Sequence, residues 1–232
     1  MAKEWTEAEL NAAAELLEGR SPKEALEWAF SQFGPEEIAL ACSFGSEDVA
    51  LADMVASIRP GSRLFYLDTG LLFPETYDVI HQCRDRYDLR FERWAPDLTV
   101  EDQARAYGDE LWSREPDKCC HIRKVEPLQR VLSGLSAWIT GIRREQAPTR
   151  ANAKMVEWDK KFGLVKINPL VAWKEKDVWD YILTHEVPYN KLHDQGYPSI
   201  GCVHCTRPVR PGEDPRAGRW SGFAKTECGL HK

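Results

Sequence analysis

The chain has 232 residues, and its 37 Asp and Glu exceed its 31 Lys and Arg, giving a formal net charge of −6 that argues against general nucleic-acid binding. With 43% hydrophobic and 29% charged residues it has the composition of a soluble globular protein, and no apolar run is long enough to span a bilayer. The N-terminus lacks the apolar core of a secretory signal, so we expect a cytoplasmic protein with reduced thiols.

Helix and strand patterns alternate along the chain. A helical lead-in covers residues 1–34, with the capping signature SPKE at 21–24. Short apolar runs predict strands at 37–42, 63–67, 89–94, 137–140 and 164–168. Helices are predicted at about 47–58, 74–87, 100–107, 118–132 and 175–185. This alternation predicts an α/β fold, with a mainly parallel sheet and helices on both faces.

No linker or internal repeat divides the sequence, so we expect one catalytic domain over 1–232. Proline, glycine and arginine punctuate the end of the chain, and residues 206–232 are predicted to be a mobile tail. Three loops, 43–46, 68–70 and 141–144, follow predicted strands, where ligands bind in parallel sheets. The first is a small-residue loop before a helix, which can present backbone N–H groups to an anion. A simple helix cap explains the same pattern.

Four of the seven cysteines form two tight pairs, Cys119-Cys120 and Cys202-Val203-His204-Cys205. Paired thiols in a reducing compartment indicate metal ligation more than disulfides. Tetrahedral thiolate sites hold zinc or an iron–sulfur cluster, and adjacent cysteines fit the separate irons of a cluster better than one zinc ion. The alternative is that the pairs are buried small hydrophobic residues.

Cys228 lies four residues from the chain end. A thiol on a mobile tail with cationic neighbours can act as a nucleophile, although an incidental surface cysteine explains the same position. The arginines concentrate in two segments, which suits a small polyanionic ligand. They are Arg143, Arg144 and Arg150 in one segment, and Arg207, Arg210, Arg216 and Arg219 in the other.

Several motifs together resemble those of the assimilatory phosphoadenylyl/adenylyl-sulfate reductases, from residue 37 to the chain end. They are SFGSEDVAL (43–51), LDTGLLFPETY (67–77), KCCHIRKVEPL (118–128), TGIRREQAPTR (140–150), KINPL (166–170), GCVHC (201–205) and ECGLH (227–231). The resemblance implies an adenine-nucleotide α-hydrolase-like fold of the PP-loop type. Loop 43–48 has a single glycine where the PP-loop pattern has two, which suits a nucleotide site that does not cleave pyrophosphate.

The same resemblance implies a function and a cofactor. Members that carry both cysteine pairs bind a 4Fe-4S cluster and generally prefer adenosine 5′-phosphosulfate (APS) over its 3′-phosphorylated form (PAPS). The expected ligands are Cys119, Cys120, Cys202 and Cys205. Cys228 would attack APS to form an S-sulfonate, which an external thioredoxin would reduce to sulfite in sulfate assimilation.

The resemblance also implies substrate contacts. Lys124, Arg216, Arg219 and His231 would hold the phosphosulfate. Ser43, Ser46, Leu67 and Gly141 would border the nucleoside, with Arg143 nearby.

Three other readings stay open at this point. The enzyme could reduce PAPS or both nucleotides, it could be a PP-loop ATP pyrophosphatase, or the chain could be a non-enzymatic zinc-binding module. The sequence leaves open whether the protein forms a homo-oligomer.

Overall fold

The structure is a computed structural model that describes residues 5–225 and 227–230. Its six strands are β1 Ile38–Ala41, β2 Arg63–Leu67, β3 Arg90–Trp94, β4 Ala137–Ile139, β5 Val156–Asp159 and β6 Leu164–Ile167. They form one sheet in the order β3-β2-β1-β4-β6-β5. Strand β1 pairs in parallel with β2 and β4, and β4 pairs in parallel with β6. The predicted mainly parallel α/β fold is therefore confirmed.

Strand β5 was not predicted, and it is the exception to the parallel arrangement. It pairs antiparallel with β6 at the edge of the sheet. Its sequence is VEWD. Val156 is buried, Trp158 is largely exposed, and the other two residues are acidic. Such a short, half-polar run lacks the continuous apolar character by which the interior strands are recognised.

The longer helices are α1 Glu7–Leu17, α2 Pro22–Gln32, α3 Ser46–Ile58, α4 Pro74–Arg86, α5 Val100–Tyr107 and α9 Glu175–Thr184. Shorter helices are α6 Leu111–Arg114, α7 Pro116–Cys120 and α8 Glu126–Leu132. The capping signature before α2 is confirmed, because Ser21 N–H donates to the Glu24 carboxylate at 2.8 Å and Ser21 Oγ accepts from Glu24 N–H at 3.2 Å. Among the described residues no helix combines the length and apolar character needed to cross a membrane.

Contacts divide the chain into two compact units. The first contains the residues up to Tyr66, Gln82–Glu92 and Leu132–Tyr189, and the second contains Leu67–His81, Arg93–Val131 and the residues from Asn190 onward. In the first unit, the sheet buries Leu40, Trp138 and Ile167 almost completely. In the second unit, Leu111, Cys119 and Ile122 form a buried cluster. The expectations of one domain and of a mobile tail over 206–232 stay predictions.

Candidate functional site

In the first unit, the loop after β1 and the start of α3 form a tight polar turn. Ser43 donates from its backbone N–H and its hydroxyl to Asp48 Oδ2, both at 2.6 Å. Phe44 is buried and left-handed, with φ 60°, and Gly45 occupies the N-cap position of α3 without a side-chain capping bond. Ser46 is therefore not the helix cap, because it is already the first residue of the helix.

The loop after β4 lies against this turn, and it brings Gly141 to Asp48 and Arg143 to Glu47. Strand β1 lies between β2 and β4, so both loops follow the strands where the sheet order reverses. A Cβ atom on Gly141 would overlap the Asp48 carboxylate, which explains why a glycine is required there. The Arg143 guanidinium donates to Glu47 Oε1 from Nε at 2.9 Å and also contacts Glu145.

Burial and charge set opposite protonation tendencies for the two acidic residues of the turn. Burial raises the pKa of Asp48 to about 6, although the hydrogen bonds from Ser43 oppose this rise. Burial also raises the pKa of Glu47, but the charge of Arg143 and the hydrogen bonds to this carboxylate outweigh burial, so its pKa lies below the ordinary value. Neither carboxylate was predicted from the sequence motifs to be a site residue.

In the second unit, all four paired cysteines line one cavity. Its empty volume is about 290 Å³, part of which is open to solvent. The other lining residues are Leu71, Trp112, Arg123, Lys124 and Trp220. The structure therefore brings Cys119 and Cys120 to the same space as Cys202 and Cys205, which are more than 80 residues later in the sequence.

An interruption in the predicted helix over 118–132 sets the side chains that follow the first cysteine pair. Helix α7 ends at Cys120, a π-helical turn spans His121–Val125, and α8 then continues to Leu132. Such turns are frequent at functional sites because the extra residue changes the direction of the side chains. Here the turn carries Arg123 and Lys124, both of which line the cavity.

The loop after β2 supports this wall of the cavity. Thr69 Oγ1 lies 3.4 Å from Cys202 Sγ, and the Thr69 carbonyl accepts a hydrogen bond from Arg123 Nε at 2.5 Å. Gly70 is left-handed, with φ 68°, and a Cβ atom there would lie 3.2 Å from Arg123 Nη2. The half-buried Leu67, predicted to border the nucleoside, precedes this loop. Sequence reasoning found the motif but not its contact with the cysteines.

The same loop is held by the buried Asp68. Its carboxylate accepts from Gly70 N–H, the Tyr77 hydroxyl and Arg93 Nε at 2.7–2.9 Å. Burial alone would raise the pKa of Asp68, but these hydrogen bonds and the charge of Arg93 keep it below the ordinary value.

Unsatisfied polar groups in the cavity wall indicate that an anionic group fits here. Trp220 Nε1 is buried without a hydrogen-bond partner among the described residues. Lys124 forms no ion pair with a carboxylate in the described part of the chain, and the thiolates of Cys202, Cys228 and Cys120 outweigh burial to raise its pKa. Burial and repulsion from the neighbouring thiolates raise the pKa of Cys119 to about 11.

The four paired cysteines are the donor set of a thiolate metal centre. Within residues 5–225 and 227–230, no three His, Cys, Asp or Glu side chains are grouped closely enough to hold one ion. One zinc ion needs its thiolates at about 2.3 Å from a common centre. A multi-iron cluster binds each cysteine on a separate iron and so accepts ligands that line a larger space. The donor set is compatible with the cluster.

The segment before Cys228 is tied to the second unit on both sides of residue 226. Lys225 pairs with Asp117 of α7, and Glu227 accepts a hydrogen bond from Arg216 Nη2 at 3.2 Å. Both Lys225 and Glu227 have buried side chains. Cys228 is partly exposed. The next residue, Gly229, lies against the π-helical turn that carries Lys124, because a Cβ atom on Gly229 would be 3.7 Å from Val125 Cγ2.

Arg219, like Lys124 and Arg216, is a predicted anion-binding residue of the second unit. Its Nη1 donates to Ser199 Oγ at 3.1 Å and to the Ile200 carbonyl at 3.3 Å, and its guanidinium lies 4.5 Å from the centroid of the Trp220 ring. A Cβ atom on Gly201 would overlap this guanidinium, so a larger residue at this position of GCVHC would displace the Arg219 side chain. His231 lies outside the described residues, and its substrate role stays a prediction.

Comparison with known proteins gives a consistent result. The family profile described as the phosphoadenosine phosphosulfate reductase domain matches residues 37–208. A Staphylococcus haemolyticus (strain JCSC1435) protein named adenosine 5′-phosphosulfate reductase is 52% identical over 209 residues, or 90% of this chain and 86% of that protein. A Geobacillus kaustophilus (strain HTA426) protein of the same name is 48% identical over 98% of this chain and 97% of its own.

A solved structure supports the same relationship. The crystal structure of the phosphoadenylyl-sulfate reductase from Candida auris, a phosphate complex, matches with a TM-score of 0.80 and 32% identity over 89% of this chain and 100% of that one. The predicted PP-loop type of fold is confirmed. The chain belongs to the phosphoadenosine phosphosulfate reductase family.

Proposed function

We propose that this protein is an adenylyl-sulfate reductase, an oxidoreductase that converts APS to sulfite and AMP in sulfate assimilation with thioredoxin as reductant. The names and identities of its relatives support this substrate and reaction class. The observation that carries the proposal is the cavity lined by the four paired cysteines and Lys124, in the same unit as the segment that contains Cys228. A cytoplasmic location would keep these thiols reduced.

The first step is a displacement at sulfur. The Cys228 thiolate attacks the sulfur of APS, a bond forms between Sγ and that sulfur, and the bond from sulfur to the bridging phosphate oxygen breaks. AMP leaves with the electron pair, and Cys228 carries an S-sulfonate. Lys124, Arg216 and Arg219 would neutralise the sulfuryl oxygens and the departing phosphate, and such electrostatic stabilisation often dominates a barrier.

The second step reduces the sulfur. A thioredoxin thiolate attacks Cys228 Sγ, the bond to the sulfonate breaks, and sulfite leaves with the electron pair. The second thioredoxin thiol then resolves the mixed disulfide and releases the Cys228 thiolate. Thioredoxin therefore supplies both electrons.

Cys119, Cys120, Cys202 and Cys205 would hold a 4Fe-4S cluster, which supplies structure and charge near the anionic substrate when bound. The unpartnered Trp220 Nε1, the buried Arg123 and the half-buried Lys124 support an anionic occupant. Because thioredoxin carries the electrons, no electron transfer from the cluster to the substrate is needed.

In the first unit, we propose that the polar turn binds the nucleoside half of APS. Ser43 and Ser46 offer hydroxyl groups, and Gly141 keeps the second loop close to the turn. Arg143 is held by Glu47 and Glu145, so it would act mainly by fixing the loops.

A turnover assay with thioredoxin separates the proposed function from its rivals. We expect sulfite release from APS at a higher kcat/KM than from PAPS, together with a broad absorption band near ~400 nm from thiolate-bound iron. A preference for PAPS would overturn the substrate assignment. Pyrophosphate release from ATP would instead indicate an ATP pyrophosphatase, and a colourless zinc protein without turnover would indicate a binding module.

A further inference from the structure

A buried glutamine lies beside the first cysteine pair. Helix α5 is otherwise solvent-facing or half-buried, and Gln103 is its buried residue, with 1% of its surface exposed. Burying an amide is costly unless both of its ends are hydrogen-bonded, and an apolar side chain would fill this position at lower cost. The Gln103 amide is therefore expected to have hydrogen-bond partners at both its oxygen and its nitrogen.

Arg123 fixes the orientation of this amide. The Arg123 guanidinium donates from Nη1 to Gln103 Oε1 at 3.2 Å. Arg123 is itself buried and is held by the Thr69 carbonyl. Because guanidinium groups only donate, the oxygen end of the amide must face Arg123.

The nitrogen end of the amide is consequently directed at a cysteine. Gln103 Nε2 lies 3.9 Å from Cys119 Sγ. A neutral thiol is a weak acceptor, but a sulfur bound to a metal cluster carries negative charge and accepts N–H donors more strongly. Hydrogen bonds to ligand sulfurs are among the factors that tune iron–sulfur clusters.

We propose that Gln103 is a positioning residue that donates an N–H···S hydrogen bond to Cys119, held in the donating orientation by Arg123, and that this bond retains the cluster. The inference rests on the proposed cluster and deepens it, since it identifies a support outside the four ligands. The sequence offers no signal for it, because EDQARAY reads as an exposed helical stretch.

Gln103→Met tests the proposal, because methionine matches the size of glutamine and lacks the donor. Gln129→Met is the matched control, because Gln129 is exposed on α8 in the same unit. The proteins are purified anaerobically, and three quantities are compared: iron per chain, the resonance Raman frequency of the terminal Fe–S stretch, and the rate of iron release to a chelator.

We expect Gln103→Met to move the Fe–S stretch to higher frequency. It should also release iron about tenfold faster than wild type, because loss of a residue that hydrogen-bonds to a metal ligand typically weakens metal binding by at least this factor. Gln129→Met should match wild type in every quantity. If Gln103→Met does not fold, Gln103→Glu keeps the size and the Arg123 contact while it replaces the donor by a carboxylate, and it should release iron faster.

If the variant that folds has the Fe–S stretching frequency and the iron-release rate of the wild type, the proposed role of Gln103 is wrong. That failure is distinguishable from failure of the proposed function. In the first case the wild-type protein contains iron and reduces APS, and in the second it does not reduce APS.

Discussion

Arg216 donates a hydrogen bond from Nη2 to Glu227 Oε2 at 3.2 Å, so a cation expected to bind substrate is paired with the residue immediately before Cys228. Glu227 is almost fully buried, with 3% of its side chain exposed. A buried carboxylate of this kind is stabilised by its cation, and loss of the carboxylate leaves the cation without a compensating charge. The pair therefore links the position of the proposed nucleophile to a group proposed to bind the phosphosulfate.

Replacement of Glu227 by glutamine should weaken this link and displace Cys228. We expect kcat/KM for APS to fall by about tenfold, because small displacements of a nucleophile cost rate. The visible absorption should not change. Glu213→Gln is the control, since Glu213 pairs with Arg207 at 3.0 Å in the same region. Equal activity of the two variants would contradict the positioning role of Glu227.

Removal of the Lys124 charge should affect the reaction more strongly. Lys124→Met is expected to lower kcat/KM for APS by about 10²–10³, the usual effect of losing one group that stabilises developing negative charge. Lys118→Met is the control. Lys118 is two residues before Cys120 in the sequence, but its ammonium group lies 4.1 Å from the centroid of the Tyr107 ring. Steady-state rates with thioredoxin provide the measurement, and a loss of less than threefold would refute this role.

The raised pKa of Asp48 predicts a pH dependence of stability. Burial raises this pKa from 3.8 to about 6, so the folded state binds the proton more tightly than the unfolded state. Unfolding free energy should therefore decrease as pH rises from about 4 to about 6, by at most about 3 kcal/mol from this group. Asp48→Asn keeps an oxygen acceptor for Ser43 and should remove that decrease.

Denaturant unfolding of wild type and Asp48→Asn at several pH values measures the effect. From pH 4 to pH 7, the unfolding free energy of Asp48→Asn should increase relative to that of the wild type. A constant difference over that range would show that Asp48 titrates normally.

Gly141 should tolerate no side chain. Gly141→Ala would push a methyl group into Asp48 and towards Glu47, and we expect a loss of about 2 kcal/mol in unfolding free energy, typical of overpacking. Gly45→Ala is the matched control, because its Cβ atom would meet Ser43 Oγ at an ordinary 3.6 Å and its φ is −71°. Equal stabilities of the two variants would refute the close packing of the loops.

The sequence allowed prediction of the parts of the fold that rest on local patterns. The apolar run over 37–42 and the small-residue loop after it correspond to β1 and the turn before α3. The π-helical turn His121–Val125 escaped prediction, because a one-residue change in hydrogen bonding leaves the helical pattern of the sequence intact.

The candidate site was predictable to a similar extent. The paired cysteines are chemically distinctive, and the structure brings them to one cavity. Thr69 and Gln103 were missed because their roles depend on neighbours distant in sequence, Cys202 and Arg123. Glu47 and Asp48 were missed because two acidic residues at a helix start also suit the helix dipole.

The proposed reaction depends on attack by Cys228 on the sulfur of APS. The most direct test incubates the protein with APS labelled in the sulfate, without thioredoxin, and locates the label by mass spectrometry of the digested chain. We expect one sulfonate on Cys228 with release of one AMP, and no label on Cys228→Ser. Label on another cysteine, or AMP release by Cys228→Ser at the wild-type rate, would contradict it.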